Sequence, residues 1–246
     1  MARSEGSDKA NEWVLLGAHL DSWELGTGAL DNGCNVALVI DAFRAIKASG
    51  VKPKRSIRFA LFSGEEQGFI GSHAYVLAHH NEMSQSAGVL ILDEGSGAIT
   101  GYSLNGRKDI LANSQKITAS LQGLGVKKNT VDADVGTDNL SFLLEGIPNL
   151  VANQKEANYL VNYHAQSDTF DKVDLKQLRK NLVIATTTIF AMADATKPIG
   201  TRLSVNEMET LIKKTELDTQ MKLFGVWDYW SEIKAKREKA ASKQRT

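Results

Sequence analysis

The amino-acid sequence predicts an α/β fold, in which helices cover both faces of a mostly parallel, mixed central sheet. Two observations support this fold class. Short apolar runs alternate with longer segments of helical character along most of the 246 residues, and strands separated by helices pair in parallel. Hydrophobic residues also make up 42% of the sequence, which is enough to build a substantial core.

The first half of the chain predicts three strands and two helices. Residues 13–18 form a short apolar run that ends at His19, which is typical of a buried strand. Residues 35–49 are apolar on most sides and precede Gly50, which favours a buried helix that ends there. The remaining elements are, in order, a strand at residues 55–62, a helix at 67–80 and a strand at 87–92.

The second half predicts longer helices and shorter strands. Asp174 with Gln177 makes a cap-like start to a helix whose apolar residues recur every three or four positions. Ser204 with Glu207 starts another helix through a capping box. The remaining elements are, in order, a strand at residues 99–104, a helix at 109–124, a strand at 126–131, a short helix at 140–145 and a strand at 147–152.

Charge and composition exclude several classes of partner. Lysine plus arginine and aspartate plus glutamate each number 29, so the net charge is zero and neither nucleic acid nor a membrane is an expected partner. No apolar run approaches the roughly 18 residues that span a bilayer. The single cysteine, Cys34, allows no intrachain disulfide. The polar first twelve residues lack the apolar core of a signal peptide, which predicts a cytoplasmic protein or a mature form.

Potential metal ligands follow three of the predicted strands. His19 ends the first strand, Glu65 and Glu66 follow the second, and Asp93 follows the third. Because the carboxyl ends of parallel strands meet at one edge of a sheet, we expect these side chains to lie close together. Adjacent acids such as Glu65 and Glu66 repel each other unless a cation or a proton separates them. Each position also has an ordinary alternative, such as an acid at a helix N-terminus or Glu94 in place of Asp93.

Two loops supply further candidate ligands. Asp31 lies in a glycine-rich turn, where one carboxylate can bridge two cations, although an ordinary turn has the same composition. Tyr163 and His164 lie in a later irregular loop. Together with the ligands at the strand ends, these residues are enough for two divalent metals with one glutamate to spare, as metal-assisted hydrolysis of a peptide bond requires. The three other histidines, at positions 73, 79 and 80, are expected to be surface residues or residues satisfied by neighbours.

The sequence resembles the zinc aminopeptidase and glutamate carboxypeptidase family of metallopeptidases (family twenty-eight), especially its carboxypeptidase Q-like branch. The resemblance covers about residues 6 to 195 and implies the zinc-exopeptidase (phosphorylase/hydrolase-like) architecture. The segments that carry it are residues 17–23, 28–33, 63–68, 93, 136–138, 146–148 and 163–170.

The resemblance also implies a role for each candidate residue. Two zinc ions are implied, with cobalt or manganese as possible substitutes. The implied ligands are His19 and Asp93 for one ion, Glu66 and His164 for the other, and Asp31 as the bridge. The other implied features are Glu65 as general base, Asp21 orienting the His19 ring, Tyr163 holding the oxyanion, and a cis peptide bond between Asp31 and Asn32. Side chains that could line the pocket are Trp23, Glu24, Asp138 and Phe142.

The implied function is a dinuclear zinc exopeptidase, an aminopeptidase or a dipeptidase, that acts on short peptides. Residues 1–200 would form the catalytic domain and residues 201–246 a helical extension packed on it, with a frayed basic end. Family members usually carry a leading helix and a hairpin before the first ligand strand, so we expect a catalytic domain without them. Two alternatives stay open, a single-zinc acyl transferase of the glutaminyl cyclase type and a catalytically silent binding domain.

Overall fold

Six strands form one mixed sheet in the computed structural model, which describes residues 1–243. The strands are β1 (Ala2–Ser4), β2 (Lys9–His19), β3 (Arg55–Phe62), β4 (Ser86–Ile91), β5 (Ile99–Ser103) and β6 (Asn149–Gln154). Their order across the sheet is β1-β3-β2-β4-β6-β5. β2 pairs in parallel with both β3 and β4, and β4 with β6, whereas the edge strands β1 and β5 run antiparallel. The predicted mostly parallel, mixed sheet is confirmed.

Helices cover both faces of this sheet, as predicted. They are α1 (Cys34–Ser49), α2 (Ile70–Ala78), α3 (Leu111–Thr118), α4 (Leu140–Leu144), α5 (Leu175–Asp194), α6 (Val205–Lys214), α7 (Leu217–Leu223) and α8 (Trp227–Lys243). Successive residues of β2 point to opposite faces. Val14 and Leu16 therefore join a core cluster that includes α1 and α5, while Trp13 and Leu15 join a second cluster with α2, α4 and the C-terminal helices.

Both predicted helix caps are present. The Asp174 carboxylate accepts a hydrogen bond from the Gln177 backbone nitrogen at 2.9 Å at the start of α5. At the start of α6, Ser204 and Glu207 satisfy each other's backbone nitrogens, which completes the capping box. Each cap satisfies backbone donors that have no partner within the helix.

Residues 126–131 do not form the predicted strand. Only Thr130 makes an isolated bridge to β5, through Ser103. The ladder is interrupted because the Asn129 side chain, rather than a backbone carbonyl, accepts the hydrogen bond of the Tyr102 backbone nitrogen. The prediction from apolar composition was therefore wrong for this segment, which makes backbone hydrogen bonds to residues 100–106 but forms a bridge only at Thr130.

The C-terminal helices pack on the rest of the chain through a buried carboxylate. Glu145 is fully buried at the end of α4 and forms ion pairs with His80 and Arg202. Arg237 of α8 donates to the Leu144 carbonyl at 2.9 Å, and burial lowers its pKa to about 10. Because these helices share a core cluster with α2 and α4, the division after residue 200 stays a prediction.

The described chain contains no membrane-spanning helix. No helix within residues 1–243 is both long enough and apolar enough to cross a bilayer. The basic segment that was expected to fray is helical as far as Lys243, and its last residues lie outside the described part of the chain.

Candidate metal centre

The ends of the three central strands bring the first candidate ligands together. In the parallel register, His19 at the end of β2 pairs with Phe62 of β3, and Gly17 pairs with Ile91 of β4. The residues that follow β3 and β4 therefore lie beside His19. As a result, the Asp93 carboxylate contacts the His19 ring, with 2.8 Å between Nε2 and Oδ1.

A buried irregular turn at residues 29–33 presents Asp31 to this cluster. The Asp168 carboxylate accepts hydrogen bonds from the backbone nitrogens of Leu30 and Asp31, at 2.6 and 3.0 Å. The Asn32 side chain donates to the Leu92 carbonyl at 2.9 Å, which ties the turn to the end of β4. The peptide bond between Asp31 and Asn32 is cis, as the family resemblance implies.

Asp31 lies between two sets of candidate ligands. Its Oδ1 is 3.2 Å from His19 Nε2, and its Oδ2 is 3.3 Å from His164 Nε2. His164 Nε2 is in turn 2.9 Å from Glu66 Oε2. All five predicted ligands thus converge, with Asp93 and His19 on one side of Asp31 and Glu66 and His164 on the other.

Asp21 contacts this cluster differently from the prediction. His19 Nδ1 lies 2.9 Å from the backbone carbonyl oxygen of Asp21 but 3.7 Å from its carboxylate. The carboxylate instead accepts hydrogen bonds from the backbone nitrogens of Glu65 and Glu66, at 3.3 and 3.2 Å. The residue therefore holds the imidazole through its main chain, and its side chain fixes the loop that carries both glutamates.

The donor atoms are of the kinds that hold divalent cations. Among the described residues, only the two histidines form ion pairs with Asp31, Glu66 and Asp93. Glu66 Oε1 and His164 Nε2 are buried and make no hydrogen bond of ordinary geometry. Carboxylates and imidazoles are common zinc ligands, and buried charges of one sign without a counter-charge are costly. Cations bound here would satisfy both the unpaired atoms and the excess of negative charge.

This excess of negative charge raises the pKa values of the buried acids. Burial and the nearby Asp93 carboxylate raise the pKa of Glu65 to about 9. Burial and Asp31 raise the pKa of Glu66 to about 7. Burial alone would lower the pKa of His19, but its hydrogen bonds to Asp31 and Asp93 outweigh that effect and raise the value to about 12. Each of these groups binds its proton more tightly in the folded chain than in the unfolded chain.

The stability of the chelator-treated protein should therefore fall as the pH rises from 7 to 9. In the unfolded chain Glu65 and His19 have their ordinary pKa values of 4.5 and 6.5, so most of their protons are released in this window. In the folded chain both residues keep their protons, so the folded state binds more protons than the unfolded state. Burial lowers the pKa of His73, so this residue changes the stability with the opposite sign. Its contribution is constant above pH 6.5, because both states have then released the proton.

Differential scanning fluorimetry in excess chelator tests this expectation. We expect Tm to drop by at least about 3 °C, since one pKa unit is about 1.4 kcal/mol and 1 kcal/mol shifts Tm by about 2–4 °C at this size. Excess zinc should remove the trend, because metals bind the deprotonated ligands. A Tm that rises with pH in chelator would contradict it.

Two aromatic side chains contact His164, and a third, Tyr159, packs against Tyr163. The Tyr163 ring stacks on the His164 ring with 3.6 Å between centroids, and Trp23 packs against it at 5.4 Å. The Tyr163 hydroxyl makes no hydrogen bond with any described residue and is free to donate to a bound molecule. Tyr159, which the sequence analysis did not single out, donates its hydroxyl to the Asp93 carbonyl at 3.3 Å. It lies in an irregular loop five residues before His164, and nothing in the sequence marks it as a functional residue.

A cavity of about 470 Å³ opens over the two glutamates. Glu65, Glu66, Tyr163 and His164 line it, together with Phe224 from the C-terminal helices. Tyr229 of α8 donates its hydroxyl to the Gly68 carbonyl at 2.8 Å, so α8 also supports the loop that carries the glutamates. The C-terminal helices thus contribute both a wall and a support to the candidate site.

The predicted pocket residues fall in different places. Trp23 lies beside His164, while Glu24 is exposed in the same loop and lines none of the described cavities. Phe142 is fully buried in the core against Phe62 and does not reach the cavity, so its prediction was wrong. Asp138 is also fully buried, and burial raises its pKa to about 7.

The remaining histidines are satisfied by neighbours, as expected, and the cysteine is buried. His73 contacts Ser141 and Glu232, at 3.0 and 3.1 Å. The other two are also satisfied, His79 by Glu82 and His80 by Glu145. Cys34 is buried at the start of α1, and burial raises its thiol pKa to about 12, which suits a packing role.

Asp168 is the main functional candidate that sequence reasoning left without a role. Its carboxylate is buried and holds the backbone of the Asp31 turn. Its only sequence signal is its place four residues after His164, within a segment that carries the family resemblance.

Comparisons with known proteins agree with this geometry. A family model described as peptidase family M28 matches residues 1–189. Carboxypeptidase Q from Rattus norvegicus is 31% identical over 194 residues, which is 79% of this chain and 41% of the relative. The chain therefore spans about two fifths of the length of these curated relatives.

Two solved structures are similar over most of the chain. A peptidase M28 precursor from Shewanella amazonensis SB2B superposes with a TM-score of 0.77 at 30% identity, over 82% of this chain and 46% of that one. BSAP, a zinc aminopeptidase from Bacillus subtilis, superposes with a TM-score of 0.64 at 21% identity, over 80% and 52% of the two chains. The second likeness concerns the fold alone.

Proposed function

Since the chain belongs to peptidase family M28, we propose that it is a dinuclear zinc-dependent exopeptidase that hydrolyses short peptides. The single observation that carries the proposal is the position of Asp31. Its two carboxylate oxygens face His19 on one side and His164 on the other, at 3.2 and 3.3 Å. One carboxylate between two histidine-carboxylate pairs is the arrangement that a two-metal hydrolase uses.

Five side chains would hold the metals. His19 and Asp93 would bind one zinc ion, Glu66 and His164 the other, and Asp31 both. When bound, the two ions would polarise the scissile carbonyl and make a water molecule between them easier to deprotonate. Asp168 would keep Asp31 in place, because its carboxylate accepts hydrogen bonds from the backbone nitrogens of Leu30 and Asp31.

Glu65 would act as the general base. It is 8% exposed, lines the 470 Å³ cavity and forms no ion pair of its own. One of its carboxylate oxygens lies within 4.8 Å of a His19 ring nitrogen and of an Asp93 carboxylate oxygen. Its carboxylate would take a proton from the attacking water and later give a proton to the leaving amine. Bound cations would lower its raised pKa by cancelling the repulsion from Asp93.

Tyr163 would donate a hydrogen bond to the oxyanion. Its ring is held against His164, and its hydroxyl is not engaged by the described residues. A phenol in that position can stabilise the charge that develops on the carbonyl oxygen. Asp21 would support the reaction indirectly, since its carboxylate fixes the backbone of Glu65 and Glu66.

The name of the sequence relative supports exopeptidase chemistry. It is a carboxypeptidase, and carboxypeptidases act at the ends of peptides. The proposal for this chain is limited to short peptides, for which dipeptides are the simplest probe.

Zinc analysis and dipeptide hydrolysis test the proposal together. We expect two zinc ions per chain by elemental analysis and release of free amino acids from dipeptides, both abolished by chelator and restored by zinc. One zinc per chain with cyclisation of N-terminal glutamine would favour the acyl transferase. Two bound zinc ions without any hydrolysis of dipeptides or aminoacyl amides would favour the silent binding domain.

A further inference from the structure

A second cavity, of about 140 Å³, lies on the other side of the candidate metal centre. Asp93 borders this cavity, whereas Glu65, Glu66 and His164 border the larger one. Gly136 lines both, so the two cavities adjoin across it. A peptide whose scissile bond lies over the metals would therefore place one residue in each cavity.

Hydrogen bonds fix which ends of the asparagine side chains face this cavity. Asn149 donates its amide nitrogen to the Ile147 carbonyl at 3.1 Å, so its oxygen points the other way. Asn105 and Asn139 both donate their amide nitrogens to that oxygen, at 2.8 and 3.2 Å. Both line the cavity, and within the described chain neither side-chain oxygen takes part in a hydrogen bond.

The same holds for other polar groups of the cavity. Asn153 uses its amide nitrogen on the Thr130 hydroxyl, at 3.4 Å, and its oxygen is free of described partners. The hydroxyl of Thr137, which is 4% exposed, interacts with the Asp93 carboxylate without a hydrogen bond of ordinary geometry. Glu94 and the exposed Asp134 also line the cavity, and one Glu94 carboxylate oxygen accepts a hydrogen bond from the Gln154 backbone nitrogen at 2.6 Å. No basic side chain is among the described residues that line it.

The cavity therefore offers hydrogen-bond acceptors and negative charge. Carboxylates and amide oxygens only accept hydrogen bonds, so the group that satisfies them must carry several donors. Ammonium and guanidinium groups carry three and five donors and a positive charge. The volume is also large enough for a side chain rather than a single water molecule.

We propose that this acceptor pocket, lined by Asn105, Asn139, Asn153 and Asp134, binds the basic side chain of a lysine or arginine next to the scissile bond. The proposal rests on the exopeptidase function proposed above and adds the side chain that the enzyme prefers. Asp134, an exposed residue that lines the pocket, supplies the negative charge that the basic end of the side chain would meet.

Matched dipeptides test the preference with the zinc-loaded protein. Lys-Ala is compared with norleucyl-Ala, and Ala-Lys with Ala-norleucine, because norleucine has the straight chain of lysine without the ammonium group. We expect kcat/KM to favour lysine by at least about tenfold in one of the two series. Asp134→Asn should reduce this preference at least about threefold, while Asp132→Asn, an equal change of charge two residues away and outside the cavity, should leave it within about twofold.

Two results would overturn the proposal. One is a lysine to norleucine ratio below about two in both series. The other is an equal loss of kcat/KM for lysine and norleucine peptides in Asp134→Asn, which would place the α-amino group in the pocket instead.

A binding measurement separates this proposal from the proposed function. If no dipeptide is hydrolysed, the exopeptidase function fails, and calorimetry with lysinamide and norleucinamide decides the pocket alone. We expect lysinamide to bind at least about tenfold tighter than norleucinamide to the wild-type chain, and with a smaller preference to Asp134→Asn. Equal affinities of the two amides would contradict the pocket.

Discussion

Replacing Glu65 with glutamine should lower kcat by about 10²- to 10⁴-fold while leaving two zinc ions bound. Glutamine has nearly the same shape as glutamate but cannot accept a proton from water. Glu65 forms no ion pair with either histidine, so removing its negative charge should not disturb the five proposed metal ligands. KM should change little, since the substituted group acts on the attacking water rather than on the peptide.

The choice of Glu65 over Glu66 follows from their contacts. Glu66 Oε2 lies 2.9 Å from His164 Nε2, within a ligand set, and its other oxygen is buried without a hydrogen bond. Glu65 faces the 470 Å³ cavity without such a contact. The two glutamates are thus adjacent in sequence but placed for different tasks.

Glu24→Gln is the matched control. The Glu24 variant carries the same glutamate-to-glutamine change on an exposed loop beside Trp23, outside every described cavity. It should keep kcat within about twofold of the wild-type value. Kinetics with one dipeptide and elemental analysis of both variants provide the comparison. A Glu65→Gln enzyme that retains near wild-type kcat would exclude the general-base role.

Most of the sheet and the convergence of the ligands could be predicted from the sequence. The apolar runs that end at His19 and before Asp93 define buried parallel strands, and parallel pairing brings their ends to one edge. The position of the metal-binding loops follows from that edge. Local caps such as Ser204 with Glu207 were equally predictable, because they depend on residues three apart in the chain.

Contacts between distant segments were not predictable in the same way. The Asp168 carboxylate reaches the Asp31 turn from 137 positions away, and no local pattern encodes such a contact. The same limit applies to the exact contacts of Asp21. Its carbonyl meets the His19 ring, and its carboxylate, 3.7 Å from that ring, also accepts hydrogen bonds from the next loop.

The packing of the C-terminal helices also depends on tertiary structure. The sequence predicts amphipathic helices there, but not which side chains reach the cavity. Phe224 does so because α7 ends beside the loop of Glu65 and Glu66. Phe142, predicted for the pocket, lies instead in the core, since α4 is buried along its whole length.

Replacing Asp31 with asparagine should remove the second zinc ion and weaken zinc binding by more than about 100-fold. Loss of a supporting partner alone costs about 10- to 100-fold in metal affinity, and Asp31 is a direct candidate ligand to both ions. An amide offers one neutral oxygen, so it cannot face His19 and His164 at once as the two carboxylate oxygens do. Hydrolysis should fall with the metal content, because the bridging position sets both ions over the scissile bond.

Equilibrium dialysis against buffered zinc measures this loss, and Asp41→Asn provides the control. Asp41 lies on α1, where it pairs with the exposed Arg44, so its variant should bind two zinc ions with unchanged affinity. The outcome also separates the bridge from its support, since Asp168→Asn leaves all five ligands present and should weaken zinc binding only about 10- to 100-fold. Two zinc ions bound to Asp31→Asn with wild-type affinity would mean that the two ligand sets do not share this carboxylate, and the dinuclear proposal would fail with it.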